Sequence, residues 1–172
     1  MRRPGHHADY GAAGGLCFFN NVAGGIRHAL NVHGLQRVAL IDFDVHHGNR
    51  SEDILHDDER VRMCSIFEDK LYPFCGNHAR GANMVNVALP TRCGGELVPQ
   101  AVTEQGLPAL ERFRPQLMFI SAGFDGHRED DMGNLALVEA DDAWITRQIV
   151  DVASRHCAGR IVSCLEGGYE LS

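Results

Sequence analysis

Short apolar runs alternate with longer segments of helical periodicity along this chain. Several of the apolar runs are continuous and do not alternate with polar residues, which is typical of parallel strands buried on both faces. Strands are predicted at residues 37–43, 61–67, 84–89, 116–121 and 160–165. The order of strands and helices predicts a doubly wound α/β domain, with a parallel sheet, helices on both faces and right-handed crossovers.

Helices are predicted at about residues 20–32, 98–113 and 139–156. We expect the middle helix to break or kink at Gly106-Leu107-Pro108, because proline lacks the amide hydrogen that a helix interior uses. Residues 68–84 have no periodicity and contain Pro73 and two glycines. A loop of this length in a compact domain is often functional.

Composition narrows the class of protein. The 172 residues include 16 Lys and Arg against 23 Asp and Glu, a net charge of −7, which argues against a general nucleic-acid binder. The six cysteines form no Cys-x-x-Cys pair and mostly lie in apolar stretches, as reduced buried thiols do. No run is long enough to span a bilayer and the N-terminus lacks an apolar signal core, so we expect a cytoplasmic location.

Three predicted strands run directly into polar residues, where parallel sheets bind ligands. After the first, Asp42, Asp44 and His46 lie two residues apart, so an extended chain would project them to one side. Two carboxylates and one imidazole suit a divalent metal, and Asp125, after residues 116–121, could supply a further ligand. Such a site resembles catalytic zinc sites, although iron, cobalt or manganese accept the same donors.

The ten histidines include two adjacent pairs, His6-His7 and His46-His47. Neighbouring imidazoles repel when both are charged, so His6 and His7 each need an acidic or amide partner, unless the pair belongs to a surface loop. Tyr169 follows two glycines and either donates a hydrogen bond in a site or packs on the sheet. We interpret five histidines as structural or solvated: His28, His33, His56, His78 and His156. His127 could line the site.

Five motifs, in order, resemble the zinc-dependent histone deacetylase family, in particular class II and its bacterial relatives. They are RPGHHA, GGLCFFNN, LIDFDVHHGN, ISAGFDGHREDDMGN and LEGGYEL, and they extend from Arg3 to Leu171. The resemblance implies the arginase–deacetylase α/β fold and hydrolysis of an acetyl amide. It also implies that Asp44, His46 and Asp125 are the zinc ligands, a set that agrees with the spacing argument.

The resemblance assigns roles to the remaining polar residues of the motifs. His7 would be the general base and then the acid that protonates the leaving amine, whereas His6 would act electrostatically. Asp42 would partner His6, and Asn49, the class II residue at its position, would partner His7. Tyr169 would stabilise the oxyanion. Potassium, a weaker inference, would bind through backbone carbonyls at Asp42, Asp44, His46, Ser65 and Ile66.

The chain departs from the family pattern at several positions. Gly15, Leu16 and Tyr72 fall at the predicted substrate channel, but Leu16 replaces the usual phenylalanine. One aromatic wall would grip a lysine side chain less tightly, so the substrate could differ. Arg50 replaces an expected glycine and Asp131 an expected proline, and both substitutions could strain the loops around the site.

Three functions remain open from the sequence. The first is deacetylation of acetyl-lysine in proteins or of small acetylated amines such as polyamines, with no direct nucleic-acid or membrane partner. The second is a dinuclear manganese ureohydrolase, which would need further bridging ligands. The third is an inactive fragment or interaction module that keeps the motifs.

The positions of the motifs bear on the length of the chain. His6-His7 lies near the first residue and Tyr169 near the last, so residues 1–172 are predicted to be part of a deacetylase catalytic domain, with both flanks missing. We expect the missing flanks to leave an exposed strand at the sheet edge.

Overall fold

The computed structural model describes residues 3–170, and its centre is one five-stranded parallel sheet. The strands are β1 (Val38–Asp42), β2 (Val61–Glu68), β3 (Met84–Leu89), β4 (Leu117–Ala122) and β5 (Ile161–Leu165). All five predicted strands are confirmed, with bounds that differ by at most one residue at either end. Leu171, the last residue of the fifth motif, lies outside the described residues.

The helices fill the connections between the strands. They are α1 (Asn21–Asn31), α2 (Asn49–Leu55), α3 (Leu97–Ala101), a π-helical turn (Val102–Gly106), α4 (Leu107–Phe113) and α5 (Glu139–His156). The predicted interruption near Pro108 is confirmed, since Pro108 lies in the first turn of α4, where no amide hydrogen is needed. The sequence did not predict α2, because its seven residues are too few and too polar for a periodic signal.

Two hydrophobic cores cover the two faces of the sheet. Alternate residues of β1 enter opposite cores: Ile41 packs in the core beneath α3, α4 and α5, and Leu40 in the core beneath α1 and α2. Every residue of β1 is buried, which explains why this strand reads as a continuous apolar run. The doubly wound architecture with helices on both faces is therefore confirmed.

The strand order β3-β2-β1-β4-β5 positions the functional site. The chain builds outward from β1 to β3 and then crosses back to β4 on the other side of β1, so the order reverses between β1 and β4. In open parallel sheets, ligands bind in the crevice at the carboxyl ends of the strands where such a reversal occurs. Asp42 at the end of β1 pairs in register with Ser65 of β2 and Ser121 of β4.

β3 and β5 form the two edges of the sheet within residues 3–170. On β5, Val162 and Leu165 are exposed although both are apolar. Between residues 3 and 170, no helix combines the length and the apolar character needed to cross a membrane.

Candidate active site

A group of side chains that could hold a metal ion lies in the crevice between β1 and β4. Ligand atoms of Asp44, His46 and Asp125 all lie within 4.8 Å of one another, and all three residues are buried. His46 Nδ1 is 3.0 Å from Asp44 Oδ1 and 3.2 Å from Asp125 Oδ2. We call these three residues the triad. Among residues 3–170 it is the only such group of three or more His, Cys, Asp or Glu residues.

The electrostatics of the triad fit a bound cation. Both carboxylates accept backbone hydrogen bonds: Asp44 Oδ2 from Gly167 at 2.7 Å, and Asp125 Oδ1 from Val45 at 3.1 Å. The other oxygen of Asp125, Oδ2, is buried and makes no hydrogen bond of acceptable geometry. Burial, and then the charge of Asp44, raise the pKa of Asp125 to about 6. A divalent cation would relieve this repulsion, and Asp125 Oδ2 would be free to coordinate it.

Glycines allow the carboxylates to approach this closely. A Cβ atom at Gly167 would overlap Asp125, and one at Gly123 would overlap Asp44. These glycines belong to the LEGGYEL and ISAGFD motifs, and they follow β5 and β4. Their role is to leave room for the carboxylates, and the sequence alone did not show this role.

Asp42 does not join the triad, which corrects the prediction from spacing that it projects with Asp44 and His46. The chain bends after β1, and Asp44 Oδ1 accepts a hydrogen bond from the backbone nitrogen of His46 at 2.9 Å. Asp42 Oδ2 instead lies 3.0 Å from His6 Nδ1. Burial opposes a charge on His6, but Asp42 and Asp44 outweigh it and raise the pKa of His6 to about 10.

His7 has the opposite electrostatic environment. Its Nδ1 lies 2.9 Å from the amide oxygen of Asn49, which gives it a neutral partner. Burial and the neighbouring charge of His6 lower the pKa of His7 to about 3, although the contact with Asn49 acts in the other direction. The tandem histidines therefore form one charged and one neutral imidazole, and they lie in a buried loop at the site and not on the surface.

A cavity of about 210 Å³ opens onto these residues. The three residues of the predicted substrate channel line this cavity: Gly15, Leu16 and Tyr72. Both tandem histidines, His46 and Tyr169 also line it. The ring of Tyr72 lies edge-on to His7 with 5.0 Å between centroids. Tyr169 is 39% exposed, and burial raises the pKa of its hydroxyl group, so the phenol stays protonated.

The positions that depart from the family pattern differ in their backbone geometry. Leu16 has a positive φ of 66°, whereas the φ angles of Arg50 and Asp131 are not positive. Arg50 lies in α2, and its guanidinium group is 2.8 Å from Asp53 and 3.3 Å from Asp9. Of these departures, it is the channel residue Leu16 that has an unusual backbone conformation.

The remaining histidines lie outside the cavity. His127 does not line it and instead borders a separate acidic depression beside Asp142 and Glu139. His156 contacts Glu111 at 2.6 Å, and His28 packs against His33. The pairing of β1 with β2 brings Asp42 opposite Ser65, next to Ile66, at the positions predicted for potassium.

Four buried acids around the site have roles that the sequence reasoning missed, and we call them the anchor carboxylates: Glu52, Glu68, Asp130 and Glu166. Each accepts a backbone hydrogen bond from a segment distant in sequence or from a loop of the site. Glu166 accepts from the backbone nitrogen of His6 at 3.2 Å and from Ser121 Oγ at 3.0 Å. Asp130 Oδ2 accepts from the backbone nitrogen of Tyr169 at 2.6 Å.

The other two anchor carboxylates hold further loops by backbone hydrogen bonds. Glu68 accepts from the backbone nitrogen of Asn134 at 2.7 Å. Glu52 accepts from the backbone nitrogen of Arg80 at 3.0 Å and contacts His47 Nε2 at 2.9 Å. The position of Glu166 directly after a predicted strand was a signal that could have indicated its role. The sequence contains no comparable signal for Glu52, which lies within α2.

Comparisons with known proteins agree with this geometry. The family model described as the histone deacetylase domain matches residues 1–172. The chain is 40% identical to the type-2 histone deacetylase 2 of Dictyostelium discoideum, covering 99% of this chain and 11% of that protein. It is 39% identical to a histone deacetylase-like amidohydrolase of Pseudomonas aeruginosa, covering 98% of this chain and 46% of that protein.

A solved structure shares the fold. The crystal structure of the HDA15 HD domain superposes with a TM-score of 0.86 at 32% sequence identity, over 99% of this chain and 50% of that one. This chain therefore spans about half the length, or less, of the relatives described here.

Proposed function

Because this chain belongs to the histone deacetylase family, we propose that it is a metal-dependent deacetylase that hydrolyses an acetyl amide and releases acetate. The substrate would be acetyl-lysine in a protein or a small acetylated amine such as a polyamine. One observation carries the proposal: His46 of the triad, the neutral His7 and the protonated Tyr169 line the same small cavity. The two carboxylates of the triad lie against His46. Residues 1–172 would act as part of a deacetylase catalytic domain.

The triad would hold the metal, and we propose zinc. Two carboxylates and one imidazole leave coordination positions free, and a divalent ion bound there would polarise the acetyl carbonyl and acidify water. Potassium would bind separately, through backbone carbonyls around Asp42 and Ser65.

His7 would move the proton. Its Nδ1 faces the amide oxygen of Asn49, so Nδ1 carries the hydrogen and Nε2 is free to accept a proton from the attacking water. The lowered pKa keeps His7 neutral before the reaction. His7 Nε2 would then protonate the leaving amine.

His6 would contribute charge and would not transfer a proton. Its contact with Asp42 and its raised pKa keep it protonated next to His7, with 4.1 Å between the ring centroids. A fixed positive charge there opposes protonation of His7 in the free protein and favours the negative charge that develops on the substrate oxygen.

Tyr169 and the channel residues would position the substrate. The Tyr169 hydroxyl group would donate a hydrogen bond to the oxyanion, as its raised pKa supports. Tyr72 would contact one side of the lysine methylene chain, and Leu16 the other. Since leucine offers less flat contact area than phenylalanine, a grip weaker than that of two aromatic walls is expected.

A ureohydrolase with two metals is less consistent with the site. Within residues 3–170 there is one triad, and Asp42, two residues before Asp44 in the sequence, is paired with His6. Elemental analysis distinguishes the two cases, since a deacetylase of this type binds one metal in the triad and a ureohydrolase binds two.

The test of the proposal is acetate release by zinc-loaded protein from an acetyl-lysine peptide and from an acetylated polyamine. Release from at least one substrate is expected, and release from neither would reject the function. The His7→Ala variant serves as the control, because it should keep its metal but lose activity. Binding of a hydroxamate chelator without acetate release would instead identify an inactive member of the family.

We further propose a reducing compartment such as the cytoplasm. All six cysteines are free and five of them are buried, which supports a protein that does not depend on disulfides. The net charge of −7 argues against nucleic acid as a direct partner. We therefore propose that the direct partner is the acetylated substrate.

A further inference from the structure

A basic depression lies at the amino-terminal ends of the strands, and the candidate active site lies at their carboxyl ends. It has a volume of about 440 Å³, within the range of small-molecule sites. Four arginines, one histidine and one phenylalanine line it, and no acidic side chain does: Arg37, Arg112, Phe113, Arg114, Arg155 and His156. They come from the start of β1, the end of α4 and the end of α5.

The positive charge of this depression is only partly neutralised. Glu111 lies beside it and contacts Arg155 at 2.5 Å and His156 at 2.6 Å. In the part of the chain between residues 3 and 170, no acidic side chain forms an ion pair with Arg37, Arg112 or Arg114. Three exposed guanidinium groups without a counter-charge create a local positive field in a protein whose net charge is −7.

Arg114 has a backbone conformation that costs free energy. It ends α4 in the left-handed region, with a φ of 54°, where glycine or asparagine is usual. Its carbonyl oxygen accepts a hydrogen bond from Arg37 Nε at 2.9 Å, which fixes the Arg37 guanidinium group at the Arg114 backbone. An arginine at a position that favours glycine adds charge to the depression at the expense of local stability.

We propose that this depression is a binding site for a small anion that carries two linked phosphate groups. The planar guanidinium fork matches phosphate oxygens bidentately, and three arginines without ion pairs suit a multiply charged ligand better than a single carboxylate. The site lies at the opposite end of the strands from the triad, so the proposal does not depend on the proposed deacetylase function.

Isothermal titration with inorganic pyrophosphate at low salt tests this site. We expect saturable binding to the wild-type protein and at least about tenfold weaker binding of inorganic phosphate. Arg112→Gln and Arg114→Gly should each weaken pyrophosphate binding by about tenfold or more. Arg114→Gly is informative because glycine accommodates the backbone, so this variant should fold at least as stably as the wild type.

Arg147→Gln is the matched control, since Arg147 is an exposed arginine of α5 that does not line the depression. Its affinity for pyrophosphate should equal that of the wild type. The proposal is overturned by the absence of saturable binding, or by binding that neither Arg112→Gln nor Arg114→Gly weakens. Equal affinities for phosphate and pyrophosphate would overturn the assignment of a ligand with two phosphates. None of these outcomes depends on acetate release.

Discussion

The two carboxylates of the triad and the anchor carboxylates are two sets of buried acids, and they differ in the partners of their oxygens. The anchor carboxylate Glu166 accepts hydrogen bonds at both oxygens, from Ser121 and from the backbone of the loop that carries His6. In the triad, Asp44 and Asp125 converge on His46, and Asp125 keeps one buried oxygen without a hydrogen-bond partner. The first arrangement satisfies both oxygens of a buried acid, whereas the second leaves one oxygen unsatisfied.

This difference separates a structural carboxylate from one suited to a metal. Buried acids are expensive unless they are paired, so an anchor carboxylate stabilises the fold by holding distant segments together. In the metal-free protein, a negative charge on Asp125 opposes folding, because burial and the charge of Asp44 raise the pKa of Asp125. Changes to Asp125 and to the anchor carboxylates should therefore move stability in opposite directions.

The largest effect is expected from Asp125→Asn. We expect metal content to fall to near zero and the rate of the proposed deacetylation to fall by about a thousandfold or more, because a metal in the triad would contribute several kcal/mol to that reaction. The metal-free variant should be at least as stable as the metal-free wild type, since the repulsion between Asp125 and Asp44 is gone. Elemental analysis and urea unfolding of chelator-treated samples measure both quantities. A clear loss of stability in the metal-free variant would show that Asp125 acts as an anchor.

The next effect is expected from Glu166→Ala. The change leaves the backbone nitrogen of His6 and the hydroxyl group of Ser121 without a buried acceptor, so the free energy of unfolding should fall by about 2–3 kcal/mol. Glu166→Gln keeps the shape and should cost less. Both variants should bind metal, since neither changes the triad. Loss of metal from the folded Glu166→Gln protein would contradict the separation of the two sets.

A smaller effect is expected from Asp130→Asn, which weakens the anchor of the Tyr169 backbone. Stability should fall by about 1 kcal/mol, because one oxygen can still accept. We expect kcat to fall by about tenfold with little change in KM, since the phenol would be less well placed. Tyr169→Phe is the comparison: it should lower kcat with unchanged stability. If Asp130→Asn loses stability at a normal kcat, Asp130 does not position Tyr169.

The smallest effect is expected from Asp142→Asn, in a half-buried acid that belongs to neither set. Burial raises the pKa of Asp142 to about 6, so the folded state binds the proton more tightly than the unfolded chain does. Asp142 therefore stabilises the protein below about pH 4, and this contribution is lost as the pH rises through 6. The variant should be more stable than the wild type at pH 7 by about 1 kcal/mol or less, after solvent screening. Equal gains at pH 4 and pH 7 in urea unfolding would exclude titration as the cause.

Much of the fold could be predicted from the chain because β1 and its neighbours are buried on both faces, and double burial requires continuous apolar runs. The triad could be predicted for a related reason. Asp44 and His46 follow one such run and Asp125 follows another, and parallel strands bring their carboxyl ends to one edge. The helix α2 was missed because its seven residues are too polar to show a periodic pattern.

The partners of the acids were harder to predict. Spacing placed Asp42 with Asp44 and His46, but the bend after β1 turns Asp42 toward His6. His127 lies two residues from Asp125, yet it faces a different depression. Residues that are close in sequence separate here, because turns after the strand ends direct each side chain independently.

The sequence by itself determined the strands, the family and the inventory of ionisable groups, since these depend on local hydrophobicity and on motifs of a few residues. Only the tertiary structure decided which acid belongs to the candidate metal site, which acid pairs with a histidine and which acid holds a loop. Glu166 and His6 are 160 residues apart, and their contact exists only because β5 lies beside β4 at the edge where the first loop packs. The function of a buried carboxylate depends on the groups that surround it, and in this protein distant segments supply them.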